Sequence, residues 1–353
     1  MKSMQDYVET EPQLYRDVLE NQDQLFGEFV DTAAENKFDS VVIYATGSSS
    51  NAAHGARPFI SKCLNVPVYI EEPSFNATYM LVPRKQTLYI AISQGGHSFS
   101  TLKMIERLQA DEMAVAVLTS DLNSPIGKAA KHVVQMGMPI EEMPYVTAGY
   151  SVTILDLMIM SLRLGIEIHT ISEGDADSIF QQIEAVVDQM EDVIVRSESW
   201  VEQETRKYSQ AKRIVFIGYG AVYGVAREGE TKITETVRIT SWGKELEEYM
   251  HGPYLGMHPD DYVIYIEPNG ELQGRAIKLK EFMDLHGVDT AVINAGAEPN
   301  ASLQLNVTVD ELITPLFMTV PIHLLAYALS QIREIDLTKS AYPDFDQITG
   351  SKI

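Results

Sequence analysis

Three groups of residues have the types and spacing for chemistry. Thr46-Gly47-Ser48-Ser49-Ser50-Asn51 and Ser93-Gln94-Gly95-Gly96-His97-Ser98-Phe99-Ser100-Thr101 each follow an apolar run and open a helical pattern. Glycine lets a ligand approach the backbone, and N–H groups at a helix start attract anions. Serine and threonine are also the preferred helix N-caps, so one such loop alone reads as a cap. Two at the ends of apolar runs favour a phosphate site. Neither matches G-x-x-x-x-G-K-[ST], so a nucleoside triphosphate is not implied. The second group is Glu228, Lys232 and Glu235, at i, i+4 and i+7 on one helical face. On spacing alone that is a salt-bridged, solvated stripe. The third is Glu247-Glu248-Tyr249-Met250-His251-Gly252-Pro253, where a turn can project an imidazole into a cleft. Near the C-terminal end, Lys339 in Leu337-Thr338-Lys339-Ser340 follows a helical pattern that ends around Glu334. No His/Asp/Glu grouping has metal-ligand spacing, and no cofactor is implied.

These residues sit in a repeat. Asp39 to Gly47 and Lys212 to Gly220 are both β-rich runs ending in glycine, and Gly47 and Gly220 are 173 residues apart. Thr87–Ser93 pairs with Tyr262–Glu267, Ala114–Thr119 with Thr290–Asn294, and an apolar helix near 149–164 with one near 314–331. Continuous apolar runs suit strands covered on both faces of a parallel sheet. Helical crossovers between them make doubly wound α/β units. Ligands in such sheets bind beyond the C-terminal strand ends, where the two hydroxyl-rich loops fall. The pattern divides the chain into a helical segment 1–36, with a helix from about Glu11 to Asn36, and an α/β domain 37–171. A linking helix 172–209 and a second α/β domain 210–353 follow. Ile179, Ile183, Val186, Val187, Met190, Val193 and Ile194 recur at helical spacing in the link.

Composition narrows the function. The 353 residues carry 27 Lys+Arg against 50 Asp+Glu, a formal charge of −23. Nucleic-acid binding needs clustered cations, so that class is excluded. A single pocket for an anionic metabolite is compatible with this balance. Cys63 is the one cysteine, which leaves no intrachain disulfide and no cysteine-based zinc site. The most apolar run, Val152 to Leu164, is interrupted by Asp156 and Arg163 and is shorter than the ~20 residues of a membrane span. The first residues, Met1-Lys2-Ser3-Met4-Gln5-Asp6, lack an apolar signal segment. A cytoplasmic protein with no membrane partner is expected.

Together these motifs resemble the tandem sugar isomerase (SIS) domain family, above all the isomerase half of glucosamine-6-phosphate synthase. The resemblance runs through both halves to Lys339. The family's phosphate loops C-G-T-S and S-Q-S-G-E-T are similar to Thr46-Gly47-Ser48-Ser49 and Ser93-Gln94-Gly95-Gly96-His97-Ser98. The resemblance implies phosphate contacts from Ser48, Ser49, Ser93, Gln94, Gly95 and Ser98, with Gly47 and His97 adjoining. It adds a hydroxyl residue after the fourth strand, near Thr147. The family's E-L-K-H-G-P motif is similar to Glu248-Tyr249-Met250-His251-Gly252-Pro253, and its offsets from that histidine land on Glu235 and Lys232. Its C-terminal A-K-S is similar to Thr338-Lys339-Ser340. Gly95, His97 and Ser98 depart from the family's Ser, Glu and Thr.

The resemblance implies roles. His251 opens the sugar ring and Glu235 moves a proton between C1 and C2. Lys339 forms an imine, and Lys232 orients Glu235 or stabilises developing charge. The glutamine-hydrolysing domain of the synthase does not fall within these 353 residues. The expected reaction is therefore release of an amine from an amino-sugar phosphate or a fructosamine-type phosphate, by a deaminase or deglycase. A plain aldose–ketose isomerase is the alternative from the same proton shuttle. A non-catalytic sugar-phosphate-binding regulator is the other, and the presence of all four acid–base residues favours an enzyme. A homodimer or higher homo-oligomer is expected, with the motif histidine reaching a neighbouring site.

Overall fold

Branched apolar runs build two parallel sheets. The computed structural model describes every residue but Leu81. In the first half, β1 (Ser40–Tyr44), β2 (Val68–Glu71), β3 (Thr87–Ile92), β4 (Val115–Thr119) and β5 (His132–Gln135) form one sheet in the order β2-β1-β3-β4-β5. In the second half, β6 (Arg213–Gly218), β7 (Thr240–Glu245), β8 (Asp261–Glu267), β9 (Asp289–Asn294) and β10 (Leu303–Gln304) take the order β7-β6-β8-β9-β10. The two orders are the same when each half is counted from its own first strand, and every pairing is parallel. This is the doubly wound α/β fold that the repeat implies, present twice.

The apolar runs locate the central strands of each sheet, β1, β3 and β4 and then β6, β8 and β9. The strands without such a run, β2, β5, β7 and β10, lie outside them. Val68-Tyr-Ile-Glu71 buries only its first residue, and His132-Val-Val-Gln135 only Val134. An edge strand is covered less fully, so its sequence carries less apolar signal.

The chain forms two compact units. One comprises Gln13–Glu142, Val152–Phe180 and Lys339–Ile353, built on β1–β5. The other comprises Met1–Pro12, Met143–Ser151 and Gln181–Thr338, built on β6–β10. The N-terminal stretch, read from sequence as one helix over 11–36, is two helices, Met4–Glu20 and Gln22–Ala34. The break falls at Asn21, whose backbone turns to φ −106° and ψ 12°, while its N–H and its side-chain amide both donate to the Asp17 carbonyl at 3.1 and 2.7 Å. The link is a single helix, Glu173–Tyr208.

The helix Ala148–Glu167 is longer than the run Val152 to Leu164 indicated, and it reaches membrane-spanning length, as does the apolar segment Pro315–Ile332. Their apolar windows are 89% and 78% buried within the protein, which makes them core helices. The first carries an acid inside the core. Asp156 is fully buried, accepts from the Gly137 N–H at 3.0 Å, and has no partner for its other oxygen. Burial pushes its pKa from 3.8 up to about 8.

Folding therefore takes up a proton at Asp156 between pH 3.8 and about 8, and stability falls as pH rises through that window. Asp156→Asn removes this slope. Urea unfolding should show the variant gaining on the wild type as pH rises from about 5 to about 8. Parallel stability curves would mean that Asp156 is already ionised in the fold.

Candidate functional site

In the first unit, β1 and β3 are neighbours whose next strands lie on opposite sides, which opens a crevice beyond their C-terminal ends. Both hydroxyl-rich loops emerge there. Tyr44 is in register with Ala91, so the loops begin side by side. The helix Ser48–Leu64 starts directly after Gly47, which has φ +61° and offers no side-chain cap. Ser48 and Ser49 therefore occupy the first turn of a 17-residue helix. In the other loop, the Gln94 carbonyl is fixed by the Thr119 hydroxyl at 3.0 Å and the Ser120 N–H at 2.9 Å. The Gly96 N–H donates to Ser93 at 3.1 Å, closing a tight turn. Gly96 has φ +68°, and a Cβ there would lie 1.9 Å from the Ser124 hydroxyl, so the turn requires glycine. Ser93 is buried, while Gln94 and Gly95 are half-buried. Ser98 caps the helix Phe99–Ala110, accepting from the Thr101 hydroxyl at 3.0 Å and from its N–H at 3.4 Å.

His97 is occupied by the C-terminal tail. Its Nδ1 lies 2.7 Å from the Ile353 carbonyl oxygen, and the Ile353 N–H donates to the His97 carbonyl at 3.1 Å. The Phe99 N–H donates to Ser351 at 3.3 Å, and Ser98 pairs with Lys352 in an antiparallel bridge. The loop that starts at Ser93 thus ends as a short edge on which the tail docks. Lys339 begins that tail and is exposed.

In the second unit the equivalent crevice, between β6 and β8, is filled. Tyr219 follows β6, is 2% exposed, and donates its hydroxyl to Glu267 at the end of β8. That hydroxyl accepts the Gly270 N–H at 3.1 Å. Burial raises the pKa of both Tyr219 and Glu267.

The Glu228–Lys232–Glu235 face is not solvated along its length. Glu228 and Lys232 are fully buried. The Lys232 ammonium lies 3.6 Å from Glu228 Oε1 and 2.8 Å from Glu235 Oε2, while the Glu235 side chain is 42% exposed. The helix Tyr223–Lys232 continues into a π-helical turn, Ile233–Val237, which carries Glu235. Such turns are rare and concentrate at functional sites. The Arg238 N–H closes it onto Ile233 at 3.0 Å.

His251 is exposed at the end of the short helix Leu246–Met250. Its Nδ1 lies 2.7 Å from the Glu247 carbonyl. A carbonyl only accepts, so this partner assigns the proton to Nδ1 and leaves Nε2 available. Glu248 is exposed on the same turn, and its N–H donates to Glu245 at 2.9 Å. Glu235 precedes β7 and His251 follows it. The strand between them has six residues and spans about 20 Å at ~3.3 Å each. Thr147 follows the fifth strand rather than the fourth, because β2 precedes β3 in the chain. It belongs to the second compact unit, is buried, and donates to the Tyr145 carbonyl at 3.1 Å.

Sequence reasoning passed over His323 and Tyr150. His323 is the single ionisable residue in the helix Val320–Ile332 apart from Tyr327, and that isolation was its only signal. Its Nε2 lies 3.6 Å from Glu228 Oε1, and the Tyr150 ring meets it edge-on at 5.9 Å. No grouping of His, Cys, Asp and Glu suited to a metal ion occurs among the described residues.

Comparison with known proteins agrees with this architecture. A family model described as the SIS domain matches residues 36–163 and 207–336. The isomerizing glutamine–fructose-6-phosphate aminotransferase of Haemophilus ducreyi is 23% identical over 307 residues, covering 85% of this chain and 50% of that protein. The chain thus spans about half the length of the curated relatives it matches. A candidate phosphosugar isomerase from Clostridium difficile 630 superposes with a TM-score of 0.89 at 24% identity, covering 100% of this chain and 99% of that one. Glucosamine-6-phosphate deaminase from Thermotoga maritima does so with a TM-score of 0.75 at 17% identity, covering 96% of each. At these identities the superpositions establish the fold.

Two outcomes test the geometry. Lys232→Met removes the ammonium facing buried Glu228 and should cost about 3–5 kcal/mol in urea unfolding. Adding Glu228→Gln should recover most of that loss, and additive losses would show that the two groups do not interact. His97→Ala removes one tail contact of about 1 kcal/mol, so amide exchange at Phe99 and Ile353 should quicken about fivefold. Unchanged exchange would mean that His97 does not hold the tail.

Proposed function

The chain belongs to the SIS-domain family, and from that premise we propose that it is an enzyme that releases an amine from a phosphorylated amino sugar or a fructosamine-type phosphate through aldose–ketose proton transfer. The observation that carries this reading is the Lys232–Glu235 pair. A carboxylate held at one oxygen by a buried ammonium keeps its other oxygen for a substrate proton. The names of the relatives, an aminotransferase, a deaminase and an isomerase of phosphosugars, support the substrate class.

The phosphate docks on the first unit. The N–H groups and hydroxyls of Ser48 and Ser49 and the loop Ser93, Gln94, Gly95 and Ser98 supply donors without net positive charge, which suits an acidic protein.

His251 takes the anomeric hydroxyl proton on Nε2 and passes it to the ring oxygen, which opens the ring and frees the open-chain carbonyl. With an amino-sugar phosphate Glu235 takes the proton from C2 and returns it to C1, so C2 becomes the imine; with a fructosamine-type phosphate the proton moves from C1 to C2 and the imine forms at C1. The Lys339 amine adds at that imine carbon, the original amine leaves with a proton, and water hydrolyses the lysine imine to give a ketose phosphate from the amino sugar or an aldose phosphate from the fructosamine. Lys232 holds Glu235 in place and offsets negative charge as the enol-type intermediate forms. In this reading His251 serves the site of a second copy of the chain, in a dimer or higher homo-oligomer, and the length of β7 between Glu235 and His251 supports it.

A panel of phosphorylated amino sugars, fructosamines and amine-free aldose phosphates, with ammonia, amine, ketose and aldose phosphate measured, tests the reaction. Conversion of an amine-free aldose phosphate to its ketose, with no amine released from the others, would identify a plain isomerase. Glu235→Gln should lower turnover at least a hundredfold while phosphosugar binding persists, because a positioned proton shuttle contributes about 10²–10⁴-fold. Borohydride with substrate should label Lys339. Mixing Glu235→Gln with His251→Ala should restore about a quarter of wild-type activity, since half the dimers then hold one intact site. No recovery on mixing would place both groups in one chain's site.

A further inference from the structure

The chain of charged groups behind Glu235 does not end at Glu228. It runs into the core to His323, on the helix Val320–Ile332. His323 is fully buried, and neither ring nitrogen has a hydrogen-bond partner. Its Nε2 and the Lys232 ammonium face the same atom, Glu228 Oε1, each at 3.6 Å. These separations exceed hydrogen-bond length, so a shift of under ~1 Å decides which group Glu228 engages. A buried imidazole with no partner is costly, which makes the one nearby carboxylate its natural acceptor.

We propose that His323 is a positioning residue for the candidate base. Its neutral imidazole presents Nε2–H to Glu228 and holds that carboxylate against Lys232, and Lys232 in turn holds Glu235. Protonation of His323 draws Glu228 away from Lys232 and loosens the grip on Glu235. The inference rests on the assignment of Glu235 as the proton shuttle.

The surroundings fit a neutral resting imidazole. Burial lowers the pKa of His323 from 6.5, Glu228 raises it, and Lys232 lowers it. The other ionisable groups facing this cluster are Glu235 on the π turn and Tyr150 on the helix Ala148–Glu167. The Tyr150 ring meets His323 edge-on at 5.9 Å, and burial holds its hydroxyl well above the ordinary range, with Glu228 and Glu11 adding to the shift. Glu11, on the helix Met4–Glu20, accepts from the Ser151 hydroxyl at 2.9 Å. Glu228 and Lys232 are thus the charged groups that set the imidazole's state.

Three variants separate this role from simple packing. His323→Gln keeps a neutral N–H donor but cannot titrate. His323→Leu keeps bulk and removes the donor. The Leu variant should lose about ten- to a hundredfold in kcat with KM within about threefold, because it disturbs a group acting in the transition state and leaves phosphate binding alone. The Gln variant should recover most of kcat near neutral pH. Its acid limb of log kcat/KM should fall with a slope near one, against a wild-type slope approaching two, because His323 no longer adds a protonation. Wild-type kcat and pH profile in the Leu variant, or a Gln acid limb that matches the wild type, would overturn the proposal. Imidazole nitrogen NMR supplies a readout that needs no turnover. Glu228→Gln should lower the His323 titration point, and an unmoved point overturns the link. If the shift is present while the wild type turns over no phosphosugar, the link stands and the assigned reaction fails.

Discussion

The second unit depends on one ammonium. Lys232 has a side chain 1% exposed, and burying a lone charge there would cost several kcal/mol. Two carboxylates make the position tenable: Glu228 from inside the core and Glu235 from the surface. Their arrangement has a direction. The inner carboxylate is enclosed, while the outer one is open to solvent along much of its length. A charge that only stabilised the fold would need no open end. Here the ion pair fixes the position of a carboxylate that still reaches whatever binds, and the π turn from Ile233 to Val237 supplies the backbone for it.

The two halves share a strand order but not a use. In the first, the crevice between β1 and β3 is edged by Ser48, Ser49, Ser93 and two glycines with positive φ. In the second, Tyr219 and Glu267 close the same crevice with a buried hydrogen bond. The second half's Lys232–Glu235 pair stands on the helix and π turn that lead into β7. The frame is the same in both halves, and the residues at the strand ends differ.

The central strands and both apolar helices were legible because burial on every side leaves runs with no polar positions, such as Val215-Phe-Ile217 and Ile154-Leu155. The edge strands were not, since Val68-Tyr-Ile-Glu71 has one fully covered residue and carries little apolar signal. The break at Asn21 is a change of backbone angle at one residue, which periodicity does not record. Among site residues, Glu228, Lys232 and Glu235 were visible as one helical face. Their burial was not, because charged residues at helical spacing read as solvated until the packing of the helix Val320–Ile332 is known. His97 illustrates the opposite limit. Its place beside a phosphate-type loop fitted an anion contact and a solvated loop residue equally, and its imidazole lies on a carbonyl more than two hundred residues away in sequence.

Charge and geometry converge on how an acidic chain can hold an anion. A formal charge of −23 opposes a phosphate dianion at long range, but screening limits that field to about 10 Å at moderate salt. Within that distance the first crevice offers N–H dipoles and hydroxyls, groups whose pull does not depend on net charge. The cations that matter are then freed for chemistry. Lys232 is committed to two carboxylates, so it is poorly suited to hold a phosphate as well. That division follows from desolvation: an ammonium buried between Glu228 and Glu235 is balanced where it sits, and moving it toward a phosphate would leave Glu228 uncompensated in the core. In an acidic protein of this fold an anion would meet N–H groups and hydroxyls at the first crevice, while the buried lysine stays balanced between its two carboxylates.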